Sequence, residues 1–276
     1  METEKTINFK ALNTFWLKIR YMDNQNKRNV NYRHIHSVYE IYINISGDVS
    51  FMVEDTVYPI APGNVIITKP YQSHHCILNS NENHRHFWIL FDTGNNDIFN
   101  DFFDCKENGN LIELPEFEFD TVTGLCRKLL EPKKSEADKF SDFFMLIACL
   151  KAGRTKNNVP IKLSNDIMKA IEYINDNFYK DIYISELAKE ACMSISTFER
   201  HFKTQTGISP REYLQSKRIS YACSELDRGA SVQAACINSG FANCSYFIKT
   251  FKKTVGVTPS KYKGYSKNLR IPFNSD

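Results

Sequence analysis

Long apolar runs are missing from this chain. No stretch approaches the roughly 18 consecutive apolar residues that a bilayer-spanning helix needs, so no membrane span is expected. The first residues, METEKTINFKALNTFW, mix acid with base around no apolar core, which argues against a signal peptide. Paired cysteines are missing as well. The eight cysteines include no CxxC pair and no Cys/His spacing suited to structural zinc. Scattered at apolar positions, they read as small buried hydrophobes in a reduced, cytoplasmic protein. A strong charge of one sign is also absent, with a net +3, and 42% hydrophobic with 24% charged residues excludes intrinsic disorder.

What is present is organised in two parts, as a length of 276 residues favours. The small net charge conceals an asymmetry: residues 161–276 hold 17 Lys and Arg against 11 Asp and Glu, and residues 1–160 hold 18 against 21. A basic C-terminal part behind a mildly acidic N-terminal part fits a nucleic-acid-binding domain joined to one that avoids phosphate. Residues 30–95 contain short segments rich in Val, Ile, Phe and Tyr (YEIYINIS, VSFMVEDTVYPI, NVIITK, HCIL, HFWILF) separated by turn signals at Gly47-Asp48, Pro62-Gly63-Asn64 and NSNEN. They predict a small antiparallel barrel or sandwich. From about Asp120 the period becomes helical, with Val122, Leu125, Cys126 and Leu129 on one face and Phe140, Phe143, Phe144, Ile147 and Leu150 on another. The polar, breaker-rich AGRTKNNVP follows. The domains are therefore drawn at 1–155 and 165–276, with a linker at 156–164.

The last hundred residues repeat themselves. SISTFERHFKTQTGISPREY (194–213) aligns without a gap on NCSYFIKTFKKTVGVTPSKY (243–262), 49 residues later, with seven of twenty positions identical. The identities include Phe198/Phe247, Phe202/Phe251, Gly207/Gly256, Pro210/Pro259 and Tyr213/Tyr262. Apolar positions four apart, a glycine stop and a proline start mark a repeated supersecondary unit. Each copy follows a short helix: SELAKEA, capped by Ser185, and VQAACINSG, capped by Ser231. Ser194 or Ser196 is placed to cap the second helix of the first unit. Glycine at its end suits a left-handed closing residue. Helix, tight turn and helix with a polar outer face is the helix-turn-helix arrangement, whose second helix enters the major groove of DNA. On the outer faces the pattern puts Ser196, Thr197, Glu199, Arg200, Lys203 and Thr204 in the first unit and Ser245, Tyr246, Lys249, Thr250, Lys252 and Lys253 in the second.

On these residues, and most specifically on SGFANCSYFIKTFKKTVGVTPSKY (239–262), the chain resembles the AraC/XylS family of bacterial transcription regulators. The resemblance covers about residues 166–265. It implies an all-α domain in which a long helix, here about Pro210–Asp227, joins two helix-turn-helix units. It places the base-reading positions at Ser196, Glu199, Arg200, Ser245 and Lys249. Arg200 matches guanine O6/N7 bidentately and Glu199 can accept from cytosine N4. Phosphate contacts are expected from Ser194, Thr197, Lys203, Thr204, Asn243, Tyr246, Lys252 and Lys253. In the second unit, Ala235, Cys236 and Ser239 stand where the family has bulkier residues, so looser packing is expected there.

Six of the seven histidines lie between His34 and His86. His34-x-His36-x-x-x-Glu40, followed by Gly47, resembles the first motif of cupin barrels, whose enzymatic members bind a divalent metal there. The corresponding set here is His34, His36, Glu40 and either His74 or His75, with Gln72 departing from the second motif's glycine. No cofactor is assigned on this basis. The competing reading is an organic effector pocket formed by His34, His36, Glu40, His74, His86 and Trp88, suited to a sugar-like or small aromatic ligand.

Taken together, the sequence predicts a multidomain α and β protein. An N-terminal cupin-like double-stranded β-helix barrel with trailing helices precedes the all-α double helix-turn-helix domain. The expected role is a non-enzymatic transcription regulator, more often an activator in this family, that binds promoter DNA and a small-molecule effector. The resemblance also implies a homodimer through the 120–152 helices and contact with RNA polymerase. The rival from another class is a metal-dependent cupin dioxygenase or isomerase, which leaves the duplicated basic repeat unexplained.

Overall fold

The structure, a computed structural model, describes residues 3–8, 15–24, 35–36, 38–80, 82–92, 110–153 and 161–268. His34 and residues 156–160 of the expected linker lie outside them. Among the described residues the N-terminal part holds nine strands: β1 (Thr3–Asn8), β2 (Trp16–Asn24), β3 (Tyr39–Ser46), β4 (Val49–Val53), β5 (Thr56–Ile60), β6 (Asn64–Thr68), β7 (His74–Leu78), β8 (His84–Asp92) and β9 (Leu111–Glu113). They form two antiparallel sheets, β1-β2-β8-β3-β6-β9 and β5-β4-β7. Strands β1, β2 and β9 were not anticipated from the sequence.

Alternation along β3 builds two different environments. Ile41 and Ile43 join Leu17, Ile19, Phe87, Ile89 and Phe91 on the outer face of the large sheet. Helices α1 (Glu116–Leu130) and α2 (Glu136–Ala152) cover that face. Val122, Leu125, Leu129, Phe143, Leu146 and Leu150 seal it. The apolar stripe expected to pair two chains is thus mostly buried on this chain's own sheet. Each such side chain removed from water contributes about 1.5–3 kcal/mol, so the sheet competes strongly for that stripe. The opposite parity, Glu40, Tyr42 and Asn44, points between the sheets toward Val49, Phe51, Tyr58 and Ile66.

The C-terminal part is helical: α3 (Asn165–Asn177), α4 (Ile184–Glu190), α5 (Ile195–Thr206), α6 (Pro210–Asp227), α7 (Val232–Asn238), α8 (Cys244–Val255) and α9 (Pro259–Asn268). No described helix is long and apolar enough to cross a membrane. Two corrections concern Ser185 and Thr250. Ser185 lies inside α4, whose N-cap is Tyr183 without a side-chain bond. Thr250, assigned to the outer face of α8, is buried. Ala235, Cys236 and Ser239 are fully buried. Ile161, in the expected linker, pairs with Val57 on β5, and Leu163 joins the helical core.

The small sheet lies against the helices. Met52, Val57 and Ile77 share a core with Phe198, Phe202 and Tyr213. Around it run polar contacts: Ser73 Oγ to Ser216 Oγ at 2.8 Å, Ser220 Oγ donating to the Tyr71 carbonyl at 2.8 Å, and Lys217 Nζ to Glu54 Oε2 at 3.2 Å.

Candidate DNA-reading and ligand sites

The duplicated segments fold into matching frames. Ser194 caps α5 by accepting from the Thr197 amide, and Asn243 caps α8 by accepting from the Tyr246 amide. Both helices close on a left-handed glycine, Gly207 at φ 78° and Gly256 at φ 85°, a conformation that Gly adopts without a Cβ penalty. Inside each frame is the same aromatic trio. Phe198–Phe202–Tyr213 has ring centroids 5.9 and 5.8 Å apart, and Phe247–Phe251–Tyr262 has them 5.6 and 5.4 Å apart. The connector α6 is fixed at its start by a capping box of Ser209 and Glu212 with Pro210 at its first position. Its 18 residues make it about 27 Å long at about 1.5 Å per residue.

This frame leaves the outer faces to solvent. Ser196, Arg200, Ser245, Lys249, Lys252 and Lys253 are exposed and Glu199 is half-buried. Lys203, Thr204, Ser194 and Asn243 are exposed too. Three of the expected phosphate donors already have partners. The Thr204 hydroxyl donates to the Arg200 carbonyl at 2.9 Å, Thr197 Oγ1 lies 2.8 Å from Ser194 Oγ, and the Tyr246 hydroxyl accepts from Gln215. The faces differ in charge. Glu199 interrupts the cations of α5, whereas α8 carries Lys249, Lys252 and Lys253 and no acid.

The second candidate lies between the sheets. His36 Nε2 and His74 Nε2 approach the same Glu40 oxygen, at 2.9 and 3.1 Å, and all three residues are buried. The adjacent histidines face different ways. His74 points inward, while His75 turns out to donate its Nε2 hydrogen to the Thr206 carbonyl at 2.6 Å. Beyond the triad, His74 stacks on Phe51, Phe51 meets Tyr42, and Tyr42 stacks on His86 at 4.8 Å. Trp88 is half-buried on the same inward parity, under the Arg20 guanidinium 5.8 Å from its ring. The sequence reading missed Tyr42, which shares a hydrogen bond with His84, and missed His84 itself. Parity along YEIYINIS could have found Tyr42, because Glu40, Tyr42 and Asn44 alternate.

Burial dominates the electrostatics here. Desolvation pushes His84 down to about 4. It pushes His86 to about 3, helped by the neighbouring His84. The same burial raises the Tyr42 hydroxyl well above its usual range and the Cys76 thiol to about 12. Four buried polar atoms of this inward face have no hydrogen-bond partner among the described residues: Asn44 Oδ1, Thr68 Oγ1, His84 Nδ1 and His86 Nδ1. A separate cavity of about 440 Å³ lies on the other face of the large sheet, lined by Tyr21, Ile45, Arg85, Phe87, Arg127 and Leu130.

Both halves match families of known proteins. Residues 187–264 match a helix-turn-helix domain family and residues 20–95 an AraC-like ligand binding domain family. Among similar proteins, the HTH-type transcriptional regulator ExsA of Pseudomonas aeruginosa is 23% identical over 85% of this chain and 89% of its own. The HTH-type transcriptional activator RhaR of Mannheimia succiniciproducens is 23% identical over 83% and 86%. The virulence regulon transcriptional activator VirF of Yersinia enterocolitica reaches 33% identity, over only 33% of this chain and 34% of its own. Among solved structures, ToxT of Vibrio cholerae covers 91% of this chain and 98% of its own at 19% identity and a TM-score of 0.37. With an AraC-like ligand-binding segment spanning β2–β8 and a helix-turn-helix segment spanning α4–α9, this chain belongs to the AraC family of transcriptional regulators.

Proposed function

We propose that the chain binds promoter DNA sequence-specifically with both helix-turn-helix units and changes that binding when a small molecule enters the barrel. The observation that carries the reading is the pair of identically framed helices with exposed outer faces, held at the two ends of α6. Arg200, Ser196 and Glu199 read base edges in one major groove, and Ser245 and Lys249 in the next. Lys203, Lys252 and Lys253, with the capped helix starts at Ser194 and Asn243, hold phosphates. Thr197, Thr204 and Tyr246 reach phosphate only by giving up or sharing their present bonds.

The effector site in this reading is the inward face of the barrel. His36, Glu40, His74, His86 and Trp88 line it together with Tyr42 and His84. Unpartnered buried polar atoms beside aromatic faces support a ligand with several hydrogen-bonding groups, such as a sugar-like or small aromatic molecule. No reaction is assigned to the barrel, because the relatives are regulators. Activation is favoured by the two relatives named activators, and it implies contact with RNA polymerase. Pairing of two chains uses the outer faces of α1 and α2, where Phe117 and Met145 stand 80% and 55% exposed. The site of action is the cytoplasm, where the DNA is.

The test is selection of duplexes by the full chain from a random pool, with and without candidate sugars and aromatic acids. Enrichment of two short motifs on one DNA face, altered by one of the compounds, supports the reading. Enrichment of nothing beyond bulk DNA refutes it.

A further inference from the structure

The two helix-turn-helix units meet at one guanidinium. Along α6, Leu214 belongs to the core of the first unit, with residues of α3 and α5, and Ile219 belongs to the core of the second. Arg218 lies at the crossing and is half-buried. Its Nε donates to the Phe178 carbonyl at 2.7 Å and its Nη2 to the Lys180 carbonyl at 2.7 Å. Both acceptors lie on the chain leaving α3, a helix that puts Ile167, Ile171 and Ile174 into the first unit's core. Carbonyls at the C-terminal end of a helix lack helical partners and carry partial negative charge. A planar, charged fork with several donors fits them well. The same guanidinium lies 5.7 Å from the ring centre of Phe241. Phe241 is buried in the second unit's turn and packs on Phe247 with ring centroids 5.1 Å apart. One side chain therefore grips the first unit through its N–H donors and the second through its planar face.

Gly240 shows how closely the units are held there. It stands just after α7 with φ 80°, and a Cβ on it would lie 2.8 Å from the Phe178 carbonyl oxygen and 2.8 Å from Tyr179 Cα. Conformation alone does not demand glycine at such a turn. Cys192, at the matching place after α4, has φ 54° and is exposed. The first unit's turn has room for a side chain, whereas the second unit's turn lies against the backbone that follows α3.

We infer that Arg218 is a positioning residue: it seats the second unit on the end of α3 and thereby sets the spacing of the two reading helices. It touches no base in this role. α6 sets how far apart the units lie, and the Arg218 junction sets how the second is turned about it. The inference rests on the reading that both units grip one duplex, because only then must their spacing match successive major grooves. Two further contacts complete the junction. Gln215 of α6 donates to the Tyr246 hydroxyl in the first turn of α8, and Phe178 packs on Tyr221 of α6 with centroids 5.1 Å apart. Lysine at position 218 would keep the charge but offer a point ammonium without a planar face.

The test uses the full chain and Arg218→Met, which keeps an apolar stem and removes the fork. Without DNA, amide hydrogen exchange in the variant should quicken roughly tenfold over residues 178–181 and 239–243 and stay unchanged over 191–195. Duplexes then carry both selected motifs, either at the selected spacing or with a base pair added or removed between them. The wild type should bind the altered spacings roughly tenfold more weakly, and Arg218→Met should discriminate by less than about threefold. The variant should keep wild-type affinity for a duplex carrying the first unit's motif alone. Arg218→Lys should behave like Arg218→Met, which a role for charge alone does not predict. The inference is overturned if Arg218→Met discriminates spacing as the wild type does, weakens the single motif in equal proportion, or exchanges its amides unchanged. Rescue by Arg218→Lys overturns it as well. A wild type indifferent to spacing sinks the two-unit reading and this inference together.

Discussion

α5 and α8 have the same length, the same capping logic and the same aromatic trio, yet they meet the N-terminal part differently: Phe247 and Phe251 of α8 share a core with Ile35 and Tyr71, and α5 adds a hydrogen bond. Its last carbonyl is held by His75, and its core phenylalanines pack with Met52 and Ile77. A Cβ on Gly207 would meet Ile77 Cγ1 at 2.8 Å, so the barrel reaches the very residue that closes α5. α8 makes no hydrogen bond to the barrel among the described residues. Its turn instead abuts the end of α3, where a Cβ on Gly240 would lie 2.8 Å from the Phe178 carbonyl. The outer faces diverge in step, with a mixed Glu/Arg/Ser surface on α5 and lysines without acid on α8. The contrast lies in charge and in the kind of contact: α5 has a mixed face and a hydrogen-bonded last turn, and α8 has a lysine face and apolar contact with Ile35 and Tyr71.

The largest blow to that contrast should come from the aromatic trios. Phe202→Ala and Phe251→Ala each remove a fully buried ring, and each should cost about 3–5 kcal/mol in unfolding by denaturant. Phe202→Ala should also loosen the contact with Met52 and Ile77, and Phe251→Ala the contact with Ile35 and Tyr71, each seen as faster proteolysis between the domains. Unchanged proteolysis in both variants would contradict these contacts.

Acid should break the barrel before it breaks the helices. His84 and His86, facing Tyr42 with Glu40 and Arg20 nearby, are held at about 4 and about 3 in the fold, against an ordinary value of about 6.5. Below about pH 6.5 the unfolded chain binds protons that the folded barrel refuses. Stability is therefore complete above that pH and declines as pH falls toward 4, by an amount on the order of 3 kcal/mol per histidine at the foot of the window. Melting curves between pH 7.5 and 4.5 should show the decline, and the double variant His84→Asn, His86→Asn should flatten it. A pH-independent melt would contradict the burial argument.

At the DNA, Arg200→Ala should relax preference at one base position and cost about 1–3 kcal/mol. Lys252→Ala should weaken all duplexes alike and reduce the salt slope by about one unit. Binding titrations on selected and scrambled duplexes at several salt concentrations separate the two patterns. His75→Ala, which truncates a buried ring and takes the donor from the Thr206 carbonyl, should cost about 1–3 kcal/mol of stability. It should also change affinity for the first unit's half of the site more than for the second's.

Much of this was legible in the sequence because the relevant signals are local. Caps, glycine stops, proline starts and paired phenylalanines lie within one turn of the helices they define, and duplication makes each copy a control for the other. The barrel was less legible. In β3 both faces are buried, so alternation between Ile41/Ile43 and Glu40/Tyr42/Asn44 separates two interiors rather than inside from outside. β2 carries Lys18 and Arg20 on its inward face, which hides it from a search for apolar strands, and β9 is three residues long. Ser73 meets Ser216, and His75 meets Thr206, across more than a hundred residues, and no spacing rule announces that. The cupin-like motif named His34, His36 and Glu40 and left His74 and His75 open, because telling which neighbour faces inward needs the strand's register.

Footprinting of the full chain on a selected duplex tests the central claim most directly. The account predicts two protected stretches in successive major grooves on one face, about one helical turn apart, with Arg200→Ala blurring base preference in only one of them. A single protected groove, or protection indifferent to sequence in both, would contradict it.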